Sequence, residues 1–233
     1  SHGYVVVAPD HVGNTFVETM QQVLSREPAP PERTVHVCSN RPDDLLLALR
    51  EGPEAAGLSP LRDGGALVGH SLGGWTALTA TARAPAVSAV VGLAPAGGTS
   101  SVAPATIRDH LDLEWGRAVP TLLVVADEDS LLPLPSMHEL FDMITSPKRL
   151  VVLERTDHLH FCDRAERVHG MFRALPDGVI VKRAKAMRPF AELLDAELAA
   201  MAVCGLVTAW VAMHLAGDMR AAAAGNWLSE APS

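Results

Sequence analysis

Short apolar runs recur along the chain and alternate with longer stretches whose apolar residues return every three or four positions. The runs Tyr4–Ala8, Ala66–Val68, Val87–Leu93, Thr121–Ala126 and Leu150–Leu153 are aliphatic or β-branched and end near Gly, Pro, Asp or Ser, which predicts five strands. The helical period predicts helices over Thr15–Ser25, Pro42–Glu51, Leu72–Arg83 and Pro135–Ile144, with a longer one over roughly Pro189–Ala216. Pro42 suits a first helical turn, and Asp43 and Asp44 would sit at that helix's positive end. Apolar strands separated by helices predict the α/β class: a mostly parallel sheet covered by helices on both faces. Pro95–Pro120 and Phe161–Arg188 carry a weaker pattern, and residues 161–188 read as a cap or surface excursion. No repeat, low-complexity tract or linker divides the chain, so one domain is expected over residues 1–233.

Length and composition fit that picture. A chain of 233 residues, 48% apolar and 20% charged, is long enough to bury one large core. The formal charge of −8 argues against nucleic acid or an anionic membrane surface as the main partner, because both need a concentrated basic face. Leu198 to Leu215 is long and apolar enough to cross a bilayer, with Thr208 and His214 its clearly polar members. It is nevertheless rich in alanine, and acidic Glu192, Asp195 and Glu197 precede it without a basic cluster. A helix buried against the sheet, and no membrane span, is the expectation. Cys38, Cys162 and Cys204 match no metal or redox spacing; the sequence leaves room for one disulfide, with three buried thiols the preferred expectation. The ten histidines show no convincing metal-ligand spacing, so neither a metal nor a cofactor is expected.

The chemistry concentrates at Gly69-His70-Ser71-Leu72-Gly73. A serine between a strand and a helix sits on a tight turn that exposes its hydroxyl beside the helix's first N–H groups, and small residues two positions either side avoid collision. Ala66–Val68 supplies the strand and Leu72 opens the helix, so context and motif agree and Ser71 is the expected nucleophile. A hydroxyl needs a base, and the base an orienting acid, each on a loop after a later strand. Asp127, Glu128 and Asp129 follow the strand Thr121–Ala126; Asp129 is preferred because Ser130-Leu131-Leu132-Pro133 leads away into the next helix, with Asp127 its rival. His158 and His160 follow the strand Leu150–Leu153 and would point the same way if extended. His158, nearer the strand and after a turn, is preferred as the base. The Leu72 N–H is the expected oxyanion donor. Trp75, Trp115 and Phe161 are read as core or pocket aromatics.

These residues together resemble the α/β-hydrolase superfamily, and within it the predicted dienelactone hydrolases related to platelet-activating-factor acetylhydrolases. The pieces that carry the resemblance are Gly3–His11, Gly13-Asn14-Thr15, Arg41-Pro42-Asp43-Asp44-Leu45, Gly69–Gly74, Val119-Pro120 with Asp129, and His158 with Phe161. The resemblance implies an α/β-hydrolase fold, a Ser71–Asp129–His158 triad, and cleavage of small or lipid-like carboxylic esters through an acyl-enzyme. Dienelactone hydrolases proper use cysteine as nucleophile, so lactone substrates do not follow. The resemblance also implies earlier strands, including one between Tyr4–Ala8 and the serine strand, and a His-Gly loop giving a second oxyanion donor. His2-Gly3 precedes a strand and does not match that loop. The chain is therefore expected to be an N-terminally incomplete hydrolase domain, with the Tyr4–Ala8 strand either paired directly with the serine strand or leaving a sheet edge open. An acyltransferase with the same triad, and a hydrolase fold that binds without turnover, are the competing readings.

Overall fold

The structure, a computed structural model, describes residues 4–25, 30–57, 65–100, 104–174 and 186–215. Within them the elements run α1 (Phe16–Ser25), α2 (Pro31–Ala55), β1 (Gly65–His70), α3 (Leu72–Thr81), β2 (Val87–Leu93), α4 (Ala105–Asp109), β3 (Thr121–Ala126), α5 (Leu134–Met143), β4 (Lys148–Leu153), a 3₁₀ turn (His158–Phe161), α6 (Ala165–Arg173), a second 3₁₀ turn (Phe190–Glu192) and α7 (Ala196–Leu215). The four strands are all parallel, in the order β1-β2-β3-β4.

Every crossover in this sheet passes through helical structure, and both faces are covered, which explains why the central strands are apolar throughout. Along β3, Leu123 and Val125 face one core and Leu122 and Val124 the other. The first core packs Trp75 and Leu78 of α3 and Met137 and Leu140 of α5 against the sheet. The second packs Val203, Leu206 and Trp210 of α7 against Val91, Leu93 and Val124. Trp75 and Trp115 are both core residues.

The run Tyr4–Ala8 forms no strand. It is irregular and exposed, with Val6 86% accessible, and it touches the rest of the chain where Val7 packs against Gly52 of α2. An extended segment gains ladder hydrogen bonds only beside another strand, and β1 forms the sheet's edge with Val68 exposed. The open edge, and not direct pairing, is therefore what occurs among the described residues.

The second helix is also longer than the sequence pattern suggests. It begins at Pro31, so Pro42 lies inside it and not in its first turn. An interior proline removes one helical hydrogen bond and costs on the order of 3 kcal/mol. Burial of Val37, Cys38, Arg41 and Pro42 offsets that cost. The chain pieces Pro9-Asp10-His11, Gly13-Asn14-Thr15 and Arg41–Asp44 interlock here. The Arg41 guanidinium donates from Nη1 to Asn14 Oδ1 (2.6 Å) and from Nε to Thr76 Oγ1 (2.9 Å), and His11 Nδ1 meets Asp44 Oδ2 at 2.8 Å. Thr76 Oγ1 donates in turn to Leu72 O (2.8 Å), so this network braces the start of α3 from beneath.

α7 spans the apolar stretch read from the sequence and has the length and composition to cross a membrane. One side of it packs on the sheet, whereas Leu198 and Met201 on the other side are exposed. The three thiols are free, but only Cys38 is fully buried; Cys162 is half-buried and Cys204 exposed. The expectation of three buried thiols fails because Cys204 lies on the uncovered side of α7. Of the stretch read as a cap or surface excursion, 161–174 carries α6, and 175–185 lie outside the described residues, as does His2-Gly3.

Candidate active site

Ser71 stands between the last residue of β1 and the first of α3, with φ +55° and ψ −120°. A non-glycine residue holds positive φ only where its surroundings over-determine it. Here the Ser71 N–H donates to Leu93 O at the end of β2 (2.9 Å), and Ser71 O accepts from Ala96 N (2.9 Å) and Trp75 N (3.2 Å). The neighbouring strand thus clamps the turn. The glycines divide differently from the simple spacing argument. A Cβ on Gly69 would lie 2.1 Å from Gly73 O, and one on Gly74 would lie 2.7 Å from Pro95 Cβ. A Cβ on Gly73 would meet only Arg41 Nη2, at 4.0 Å. The close approach therefore falls on Gly69 and Gly74, and Gly73 faces open space on that side.

Two later loops bring their side chains to the Ser71 hydroxyl. His158 Nε2 lies 2.9 Å from Ser71 Oγ, and His158 Nδ1 lies 2.7 Å from Asp129 Oδ2. Asp129 is buried, and its other oxygen accepts the N–H groups of Leu131 and Leu132, both at 2.8 Å. Its position is thus fixed by its own loop before it meets the imidazole. With a carboxylate at Nδ1 the imidazole carries its proton there, leaving the Nε2 lone pair for the hydroxyl. Leu72 begins α3 directly after Ser71, and the first N–H groups of a helix have no partner within it.

The rival residues have other partners. Asp127 Oδ1 accepts the Thr156 N–H (3.2 Å), and Glu128 N donates to Thr156 O (3.0 Å), so both tie the β3 loop to the histidine loop. Glu128 also pairs with Arg188 at 3.2 Å. His160 turns away from Ser71 because residues 158–161 form a 3₁₀ turn and not an extended strand. Its Nε2 faces Leu194 O at 3.0 Å.

His70, the residue before Ser71 in the turn, backs the site. Its ring lies 4.6 Å from that of His158 and 5.6 Å from that of Phe161, and its Nδ1 is 3.7 Å from Cys162 Sγ. Burial, reinforced by the nearby His158, draws its pKa down to about 3. It therefore stays neutral at ordinary pH and adds no charge beside His158. Among the described residues no group of His, Cys, Asp and Glu side chains could hold a metal ion.

A parallel sheet, a strained strand–turn–helix bearing the serine, and an acid and a histidine on the loops after two later strands make up an α/β-hydrolase fold. No protein-family model matches the chain, and no curated protein matches it. Several solved structures are similar to it. A monoacylglycerol lipase from Paleococcus ferrophilus is 16% identical with a TM-score of 0.42, over 62% of this chain and 75% of that one. The esterase domain of a Rhodothermus marinus protein is 20% identical with a TM-score of 0.40, over 64% and 67%. An alpha-beta serine hydrolase homologue from Coxiella burnetii is 18% identical with a TM-score of 0.41, over 67% of this chain and 61% of that one.

Proposed function

We propose that this chain is a serine hydrolase that cleaves small or lipid-like carboxylic esters through an acyl-enzyme, with one domain carrying the whole triad. The observation that carries the reading is the unbroken chain of hydrogen-bonding distances Ser71 Oγ–His158 Nε2–His158 Nδ1–Asp129 Oδ2, at 2.9 and 2.7 Å. His158 takes the hydroxyl proton as Ser71 Oγ attacks the ester carbonyl carbon. The carbonyl electron pair moves onto oxygen, where the Leu72 N–H and the positive end of α3 stabilise it. As the tetrahedral intermediate collapses, the imidazolium returns its proton to the leaving alkoxide, and the acyl group stays on Ser71. Water then attacks the acyl-enzyme with His158 again as base, releasing the acid and restoring the hydroxyl.

Asp129 stabilises the imidazolium in both halves of the cycle without leaving its own loop. The sequence pieces shared with the predicted dienelactone hydrolases and platelet-activating-factor acetylhydrolases support that branch of the superfamily, and serine in place of cysteine favours esters over lactones. A fluorophosphonate probe tests the reading. Stoichiometric phosphonylation of Ser71, abolished in Ser71→Ala, is expected; a folded chain left unmodified overturns it.

A further inference from the structure

A second cluster of titratable side chains lies directly behind the candidate base. Asp157, His160 and His169 are 1%, 2% and 2% exposed, and none of them touches Ser71. Asp157 Oδ1 is 2.8 Å from His160 Nδ1, and Asp157 Oδ2 is 3.2 Å from His169 Nε2 on α6. The Asp157 Oδ2–His169 Nε2 approach is an ion-pair distance without hydrogen-bond geometry, so the two buried atoms meet through charge. Phe190 stacks on the His160 ring at 5.0 Å and meets the His169 ring edge-on at 5.3 Å.

The backbone connections give this cluster its consequence. Asp157 Oδ1 also accepts the Leu159 N–H (2.9 Å) and so caps the 3₁₀ turn on which His158 is the first residue. Leu194 holds the same segment at both ends: its N–H donates to Arg155 O (2.6 Å), and its carbonyl accepts from His160 Nε2 (3.0 Å). Residues 155–160, which present His158, are therefore pinned to one point of the chain before α7, and one of the two pins passes through Asp157 and His160.

The protons on His160 follow from its partners. A carbonyl only accepts, so Nε2 bears a proton. Nδ1 accepts the Asp157 N–H (3.0 Å), which closes a capping box, so the neutral Nε2–H tautomer satisfies both ring nitrogens. The Asp157 carboxylate lies 2.8 Å from the same Nδ1, so its charge sits directly against the His160 ring in the interior.

We propose that Asp157 is a positioning residue for the reaction at Ser71, acting through His160 and His169 to fix the turn that aims His158 between Ser71 and Asp129. The proposal rests on the triad reading for its link to turnover, but its structural half stands on its own. The titratable groups facing the pair are His169 from α6, itself influenced by Arg173, and the Cys162 thiol just after the 3₁₀ turn; Phe190 and the Leu194 carbonyl close the other side. Burial pulls His160 down, but its bonds to Asp157 and Leu194 and the Asp157 charge outweigh it and leave its pKa raised, whereas burial lowers that of His169.

The test compares the intact chain with Asp157→Asn and His160→Gln by histidine side-chain ¹⁵N spectra and by hydrolysis of p-nitrophenyl acetate across pH. In the wild type, His160 is expected to show an ordered Nε2–H held by Leu194 O, and His158 one ordered Nδ1–H. In Asp157→Asn, the charge against the His160 ring is lost, the His160 Nε2–H and His158 Nδ1–H signals broaden, and kcat falls about tenfold or more with KM nearly unchanged, since a small misplacement of a catalytic group can cost about a hundredfold. His160→Gln keeps the carboxylate and loses part of the Leu194 tie, so it is expected to fall between the two, and it serves if Asp157→Asn does not fold. A folded variant whose His158 spectrum and pH–kcat profile match the wild type overturns the proposal while leaving the triad intact. If the wild type hydrolyses nothing, the triad reading fails separately, and an unchanged His158 spectrum still overturns the positioning claim.

Discussion

Replacing Gly69 by alanine tests whether the serine turn is held as tightly as its contacts imply. The added Cβ would sit 2.1 Å from Gly73 O, 2.2 Å from Gly73 C and 2.7 Å from Gly74 N, all backbone atoms with no rotamer to adjust. Relief requires a shift of about 1 Å in either β1 or the first turn of α3, since ordinary contacts begin near 3 Å. That movement must stretch the bonds from Ser71 to Leu93, Ala96 and Trp75. Overpacking in a well-packed interior costs roughly 1–3 kcal/mol when side chains can yield, and a backbone collision belongs at or above the upper end. A loss of about 3 kcal/mol or more in denaturant unfolding is expected, with fluorophosphonate labelling slowed about a hundredfold in whatever remains folded. Gly73→Ala is the control. Its Cβ enters open space in a helix, and alanine there is expected to be neutral or to stabilise by about 0.5–1 kcal/mol. Equal stability and labelling in Gly69→Ala and wild type, or equal damage from both substitutions, would refute the reasoning.

Asp129→Asn should abolish most reactivity while leaving the fold intact. The Leu131 and Leu132 N–H groups keep hold of the asparagine oxygen, so its NH₂ faces His158 Nδ1 and drives the imidazole into the wrong tautomer. A loss of about 10⁴ in ester turnover is expected, by analogy with triads altered in the same way. Asp127→Asn retains an oxygen for the Thr156 N–H and should change turnover less than threefold, roughly the effect of one neutral hydrogen bond. Stability should also fall on acidification through His70. Its folded pKa of about 3 lies below the ordinary value of 6.5, so the unfolded chain binds the extra proton between those values. The contribution is complete above 6.5 and is lost as pH drops toward 3; urea unfolding of His70→Phe across that window should show a shallower slope than wild type.

Much of the sheet was legible in the sequence because its strands are apolar runs bounded by turn residues, and β2 and β3 run over the ranges expected for them. Ser71 was legible for a related reason: the turn that exposes it depends on local backbone geometry, which glycine spacing records. The failures share one cause. Tyr4–Ala8 has strand composition, but a strand also needs a neighbour, and no local pattern reports whether one lies alongside. Pro42 reads as a helix start until the burial around Arg41 is known, because packing decides whether an interior proline is tolerated. The choice between His158 and His160 depended on whether the segment was extended or a 3₁₀ turn, and only the Asp157 cap determines that. His70 and Asp157 went unrecognised because their partners, Phe161 and His169, are distant or lie on other elements.

The nucleophilicity of Ser71 is the property on which ester cleavage by this chain depends. Incubating the folded chain with a fluorophosphonate, mapping the modified peptide by mass spectrometry, and repeating with Ser71→Ala and His158→Ala measures it directly. One phosphonyl group on Ser71, absent in Ser71→Ala and formed at least about a thousandfold more slowly in His158→Ala, is the expected result. Modification elsewhere, or labelling of Ser71 at the same rate without His158, would contradict it.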